Sequence, residues 1–579
     1  MTPPIPTSRK LALVFLPAAL LTLLGVGVVD AGLGQKLFIH TTYFFLMATV
    51  LCWAGTYLHA AREVDREAVV TWTKDHWPGL VIAAAVTLVA WVAIEPALRI
   101  LSDEAILVGT SKNLFSSRTA TFTIAGKNYY DSFWDVDVAV DRRPPLFPFL
   151  VSLIHVVRGY SFRNVFALNL ILLPAFVVVS YRLAKSLGGE TFGIVTALLV
   201  VAHPIALISV RSGGFDFCAL FFTVLVIKSL LDYVRQRSPA ALAILWMNLC
   251  LFAEVRYESA LFIPPLVALL LLFRMITWST LRPYAFIYAL TPAYLTPRIW
   301  QAVFRGSVPE QDPGAVAFSV GNFVNNVGEY FKPVLSPLNS YPAHAGLVIA
   351  LGIVGCVLWL RSHHRDLLSF ERREPRGKFA LLVIVWMGVQ VFLVFTYVWG
   401  RAQSPSAARL VMVIDTFFSF LAAWALTRTL SRWRPFVAVL VASAVLAIHL
   451  PIAFQHRMLN RLTQTRESAT VWRYFESLHE KRILIVADRP ELFTIMDYGA
   501  MNFEAARQDR VLFDAFARHL FYDVYVVQQL KLSTGIPLPG YELWPTRKLE
   551  TMLEFQNDAD VLIRISRLAH EAAAPASAP

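Results

Sequence analysis

Charge is what this 579-residue chain has least of for its size. Asp, Glu, Lys and Arg make up 16% of it, against 56% hydrophobic residues and a mean hydropathy of +0.55. That balance excludes an ordinary soluble globular protein, where roughly a quarter of residues are charged. Cysteine is also scarce: Cys52, Cys218, Cys250 and Cys356 all sit in apolar runs. Their spacing fits neither a disulfide framework nor a zinc site. No Asn-x-Ser/Thr sequon occurs, which weakly favours a bacterial membrane over a glycosylating secretory pathway. A nucleotide fingerprint is missing too. Ala487-Asp488-Arg489-Pro490 follows the one clear buried strand, where a Gly-rich turn would be needed to approach a pyrophosphate.

Long apolar runs are abundant. Segments 11–30, 37–60, 77–100, 163–184, 190–208, 214–233, 239–254, 258–275, 283–303, 344–361, 379–398, 409–427 and 434–452 reach or approach the length of a membrane-crossing helix. The expectation is a mostly α, polytopic bundle of about thirteen crossings. The first run is read as a retained helix, since no small-residue cleavage site precedes the second. The formal net charge of +12 is a matter of topology. Arg9 and Lys10, Arg62, Arg66 and Lys74, Arg182 and Lys185, Arg235 and Arg237, and Arg361 to Lys378 all fall on one side of the threading. By the positive-inside rule that side is cytoplasmic, and nucleic acid is not an expected partner. The N-terminus is then inside, and the loop from residue 101 and everything after 452 are outside.

After Pro451 the texture becomes that of a soluble domain. Helices at Ser468–Lys481 and Val511–His519 alternate with strands at Arg482–Ala487, Asp523–Val527 and Asp560–Ile565, which predicts a small α/β extracytoplasmic domain. The Ala/Pro-rich end, 572–579, reads as disordered. The expected division is two additional N-terminal helices over 1–76, a membrane core over 77–452 with its first outer loop at 101–162, and the outer domain at 453–579.

The outer face carries polar residues that need a reason. Asp103 and Glu104 step out of the segment 77–100, and a pair of acids there is costly unless it faces water or a site. An acid at a helix C-terminus also opposes the dipole. The same loop holds Asp131, Asp135 and Asp137, read as solvated acids or as holders of a divalent cation, and closes with Asp141-Arg142-Arg143-Pro144-Pro145. Later outer segments supply His203, Arg211 and Asp216, then Glu254-Val-Arg256-Tyr257-Glu258, Arg298 and Arg409. Outer basic residues run against the positive-inside bias, and a lipid phosphate is the natural partner. The plainer readings are an ion-paired hairpin for Arg256 and snorkelling for Arg211 and Arg409. His203, beside a proline, reads as a capping or hydrogen-bonded residue before a metal ligand. Pro144–Gly159 reads as an interfacial helix with Phe147, Phe149, Leu150, Leu153 and Ile154 in lipid.

The order of these features resembles the protein-O-mannosyltransferase and aminoarabinose-transferase branch of the polytopic GT-C glycosyltransferases. The resemblance rests on the acidic pair, the long first outer loop, the basic residue before Pro-Pro-Leu and the Arg-Asn start of the next span. Arg-Ser-Gly-Gly-Phe-Asp216, Glu-Val-Arg256-Tyr-Glu-Ser and Ser-Pro-Ser-Ala-Ala-Arg409, each opening a span, add to it, over roughly 77–452. It implies transfer of a sugar from a polyprenyl-phosphate donor to a glycan, lipid or protein acceptor. Asp103 would be the base, with Glu104 orienting the acceptor or supporting Asp103. Arg143 or Arg142, with Arg256, Arg211 and Arg409, would meet the donor phosphate. Asp216, Tyr257 and Glu258 would contact sugar or acceptor. Arg-Arg-Pro-Pro stands where many relatives have a lysine, so which arginine acts is open, as is metal dependence.

Two rival functions fit the hydropathy. A transporter or flippase would place ionisable residues at mid-membrane in matched halves, and an O-antigen-ligase-like enzyme would need no acidic pair in a first loop. The threading itself is testable. Reporter fusions after Arg376 and after Arg457 are expected to signal from opposite sides of a bacterial inner membrane; signals from one side would overturn it.

Overall fold

The computed structural model describes residues 30–62, 66–129, 132–305, 316–336, 340–368, 375–430, 435–454, 463–508, 523–543, 548–557 and 560–569. The segment 11–29 and the expected helix Val511–His519 lie outside them, as do Asp131 and the tail. Contacts divide the chain into two compact units. One holds residues 1–96, 142–150 and 166–458, and the other 97–141, 151–165 and 459–579.

The first unit is a helical membrane bundle. Its helices include α1 (Ala31–Ala61) and α2 (Arg66–Ala93). α3 (Leu101–Ser116) opens the second unit, and α4 (Leu146–Arg158) begins in the first and continues in the second. Then come α5 (Asn164–Gly188), α6 (Glu190–Val200), α7 (Pro204–Val210), α8 (Asp216–Gln236), α9 (Pro239–Ala253) and α10 (Ile263–Leu272). α11 (Thr296–Arg305), α12 (Val320–Leu335), α13 (Gly346–Leu368), α14 (Pro375–Thr396), α15 (Met412–Leu430) and α16 (Pro435–Phe454) complete it. Among the described residues, eight helices are long and apolar enough to cross a membrane, nine if α6 and α7 form one bent span. The thirteen expected crossings are not reached there. The segments at 239–254 and 258–275 form shorter apolar helices, and 283–303 breaks into short turns before α11. Prolines 283, 292 and 297 explain the breaks, since each lacks a backbone donor.

Small residues let these helices approach closely, as is usual where lipid supplies no hydrophobic drive. A side chain at Gly355 of α13 would stand 2.0 Å from the Leu421 carbonyl of α15. Polar residues tie other helices: Asn248 of α9 accepts the Trp53 indole N–H of α1 at 2.8 Å. α6 and α7 meet at 73°. His203 stands at the bend and Pro204 at the first position of α7, which suits a helix start and stops α6 from continuing.

One expectation fails at the end of α2. The apolar run extends to Ile100, but the helix stops at Ala93 because Pro96 pushes Glu95 away from helical backbone. Asp103 and Glu104 therefore lie in the first turn of a new helix, α3, where the dipole favours acids. α4 is also different from its sequence reading. Phe147 and Phe149 are fully buried instead of lying in lipid, and Phe149 packs edge-on against Tyr43.

The second unit is built on one seven-stranded sheet. Its strands are β1 (Phe122–Tyr129), β2 (Ser132–Ala139), β3 (Ile483–Val486), β4 (Gly499–Met501), β5 (Asp523–Lys531), β6 (Leu549–Gln556) and β7 (Val561–Leu568), in the order β2-β1-β4-β3-β5-β7-β6. β3 runs parallel to both β4 and β5, and all four of its residues are buried, as a two-sided parallel strand requires. The first outer loop supplies the β1–β2 hairpin, so it shares this sheet with the C-terminal strands. Gly126 is needed there, because a Cβ would meet the Phe133 ring at 2.3 Å. α17 (Thr463–Ser477) packs through Phe475, edge-on to Phe493 and Tyr525.

Lys112 of α3 holds the hairpin and the C-terminal segment together. Its ammonium donates to the Thr494 carbonyl at 2.7 Å, pairs with Asp497 at 2.7 Å and stands 3.6 Å from the Phe133 ring centre. Burial draws its pKa below the ordinary lysine value, and Asp497 opposes that. Asp497→Asn keeps the left-handed backbone at this position but removes the counter-charge. It is expected to cost about 1–3 kcal/mol, read as a lower melting temperature, because the buried ammonium loses its charged partner. Adding Lys112→Met should recover part of the loss, and an unchanged melting point in the single variant would refute the account.

Candidate functional site

Asp216 opens α8 with a side chain only 5% exposed. A carboxylate at that depth needs cations, and two arginines from distant turns supply them. Arg256, after α9, donates from Nη1 to Oδ1 at 2.6 Å, and Arg409, before α15, donates from Nη1 to Oδ2 at 3.0 Å. Arg256 also pairs through Nε with Glu258 at 2.7 Å, and its guanidinium lies 5.3 Å from the Phe215 ring centre. The four residues line one small cavity, with Thr223 and Gln390 among its other walls. Two guanidiniums and two carboxylates balance in charge. Each guanidinium has five donors in a rigid fork, and Asp216 takes one from each. The clamp thus fixes both forks in position.

The other predicted residues are placed as follows. Arg211 follows α7 and donates from Nε to the Ile94 carbonyl at 3.0 Å, with its pKa drawn below the ordinary arginine value by burial. Tyr257 is half-buried, its carbonyl accepts from Arg298 at 2.7 Å, and its ring faces that guanidinium. Arg142 is exposed and Arg143 half-buried. Two residues outside the predicted set hold this basic segment by its backbone. Gln301 Nε2 donates to the Arg143 carbonyl at 2.9 Å, and the Glu254 carbonyl accepts the Leu146 N–H at 3.1 Å. The buried Glu254 carboxylate accepts the Arg298 N–H at 3.2 Å, and Arg298 Nη1 donates to Gln301 Oε1 at 2.7 Å. A glutamine three residues after an arginine inside an apolar segment was the signal for it.

In the second unit, Asp103 is half-buried in the first turn of α3. Glu104 is buried, and its Oε2 accepts the Arg99 N–H at 2.9 Å. That bond closes the turn carrying Asp103. Asp135 accepts the Thr123 hydroxyl at 2.5 Å across the hairpin. The structure brings Asp216, Arg256, Glu258 and Arg409 into one cluster. Asp103 and Glu104 belong to one compact unit, and Arg142, Arg143 and Arg211 to the other.

Residues 142–300 match the family model described as dolichyl-phosphate-mannose-protein mannosyltransferase. A sequence search of curated proteins gives no match. Among solved structures, ArnT from Cupriavidus metallidurans in the apo state superposes with a TM-score of 0.50 at 15% identity, covering 86% of this chain and 98% of that one. The same enzyme bound to undecaprenyl phosphate gives a TM-score of 0.48 at 14% identity, over 84% and 97%. An oligosaccharyltransferase of Archaeoglobus fulgidus, in complex with zinc and sulfate, gives 0.44 at 13% identity, over 78% and 67%. With its helical bundle, its small sheet unit and this family match, the chain has the fold of the polytopic GT-C membrane glycosyltransferases.

Proposed function

We propose that the chain transfers a sugar from a polyprenyl-phosphate donor to an acceptor hydroxyl on the outer face of a bacterial inner membrane. The observation carrying this reading is the family match over 142–300. It begins at Arg142-Arg143, takes in Asp216, Arg256, Tyr257 and Glu258, and belongs to a family named for a polyprenyl-phosphate sugar donor. The N-terminus is cytoplasmic in this reading, and the domain at 453–579 faces the periplasm.

The reaction is a single displacement with inversion. The acceptor oxygen forms a bond to the anomeric carbon as the bond from that carbon to the phosphate oxygen breaks. Asp103 takes the acceptor proton as general base, and the polyprenyl phosphate leaves with the electron pair. Glu104 acts by closing the turn that carries Asp103. Arg143 neutralises the departing phosphate, assisted by Arg142 and Arg211, while Asp216 holds Arg256 and Arg409 so that their forks need no reorganisation when charge develops. Tyr257 and Glu258 border the sugar or the acceptor.

Asp103→Asn keeps the shape but cannot accept a proton, so turnover is expected to fall by about 10²–10⁴-fold while donor-lipid binding is unchanged. Arg143→Ala is expected to weaken donor binding first, with partial rescue by lysine, a point charge in place of a fork. The measurement is transfer in proteoliposomes loaded with lipid-linked sugars extracted from a strain deleted for this chain. Near-normal turnover in Asp103→Asn would remove it as the base. Asp216→Asn is expected to lower donor affinity, by loosening both arginines, without changing the pH profile of turnover.

A further inference from the structure

Three polar side chains that sugar transfer does not use meet inside the membrane unit. His203 stands at the bend between α6 and α7, His344 lies two residues before α13, and Asp415 is in the first turn of α15. They are 1%, 3% and 1% exposed. One ligand-capable atom of each lies within 4.8 Å of the other two. His344 Nδ1 is 2.8 Å and His203 Nδ1 3.6 Å from the same oxygen, Asp415 Oδ2.

The outward atoms of the three are held by other groups. His344 Nε2 is 3.0 Å from the Ala402 carbonyl, which can only accept, so the hydrogen resides on Nε2. His203 Nε2 lies 3.3 Å from the Ser419 hydroxyl, and Asp415 Oδ1 accepts the Tyr330 hydroxyl at 3.0 Å. Such outer partners fix the tautomer that turns a nitrogen lone pair inward, as they do for metal-bound histidines. The Ala345 N–H, 3.2 Å from His203 Nδ1, selects the same tautomer. Two acceptors, His203 Nδ1 and Asp415 Oδ2, then face each other in a dry setting that includes Ala202, Ala345, Ala422 and Ala423. Positive charge at their convergence, a metal ion or a second proton on His344 at Nδ1, relieves that opposition. A fourth imidazole, His449 of α16, is buried with neither ring nitrogen hydrogen-bonded, on a helix packed against α6 and α7.

We infer that His203, His344 and Asp415 hold a divalent first-row metal ion, with zinc the best fit to two imidazoles and one carboxylate. Ligand atoms about 2.0 Å from zinc stand roughly 3.3 Å apart in a tetrahedron. The His344–Asp415 pair therefore opens slightly on binding, and the metal displaces the Ala345 amide from His203. The ion would lock the bent α6–α7 segment to α13 and α15, and so hold Arg211 and Arg409, which follow α7 and precede α15. Its role is structural, because the site is closed to solvent.

The test uses the full chain purified in detergent, free of chelators and of a polyhistidine tag. Elemental analysis is expected to find about one zinc per chain, and X-ray absorption at the zinc edge should show two imidazole scatterers. His344→Ala and Asp415→Asn, each confirmed as folded by size-exclusion chromatography, are expected to retain less than about a tenth of that metal. Chelation should lower the melting temperature of the unmodified chain. A chain that is purified without metal and takes up neither zinc nor cobalt would overturn the inference, leaving a proton at the convergence. Unchanged metal content in the folded variants would do the same. Should neither variant fold, the absorption spectrum of the unmodified chain decides, and lack of imidazole scattering overturns the site.

Discussion

A side chain buried in protein has no water to satisfy its charge, so each ionised one must find its partner elsewhere in the chain. Asp216 shows what that requirement does to the fold. Its carboxylate, at the head of α8, is satisfied by arginines 40 and 193 residues further along. The two bonds bring the turn after α9 and the turn before α15 to one point. Losing the carboxylate would leave two guanidiniums close together at low exposure, so this one interaction organises the helix ends around it.

A second set of bonds works through backbone atoms. Gln301 and Glu254 hold the residues on either side of Pro144-Pro145. The Arg143 side chain is only as well placed as the main chain that these bonds fix. In the sheet unit, Lys112 does comparable work between the hairpin and the turn that ends α18 (Glu491–Thr494).

The sequence was most legible where one physical signal dominated. Hydropathy marked the spans that face lipid, such as α1 and α16, and the alternation after Pro451 located β3, β5 and β7. It was least legible where a local signal was overruled. The apolar run 77–100 hid the stop imposed by Pro96, which placed Asp103 at the end of one helix instead of the start of another. Phe147 and Phe149 have the pattern of an interfacial helix, but protein covers them. His344 and Asp415 stand apart from the polar residues massed at the outer face, and Asp415 carries one signal of its own, an acid within an apolar segment.

By itself, the amino-acid order determined that this is a polytopic membrane protein with a small sheet unit. It also assembled the set of acids and arginines from which a GT-C site could be drawn, since hydropathy and short motifs are local properties. Tertiary structure alone decided which of those charges meet. Asp216 chose Arg256 and Arg409 over the nearer Arg211, and Glu254 turned toward the Arg298 backbone. The physical reason is that pairing in a low-dielectric interior depends on which helix ends converge in space, and sequence separation carries no record of that.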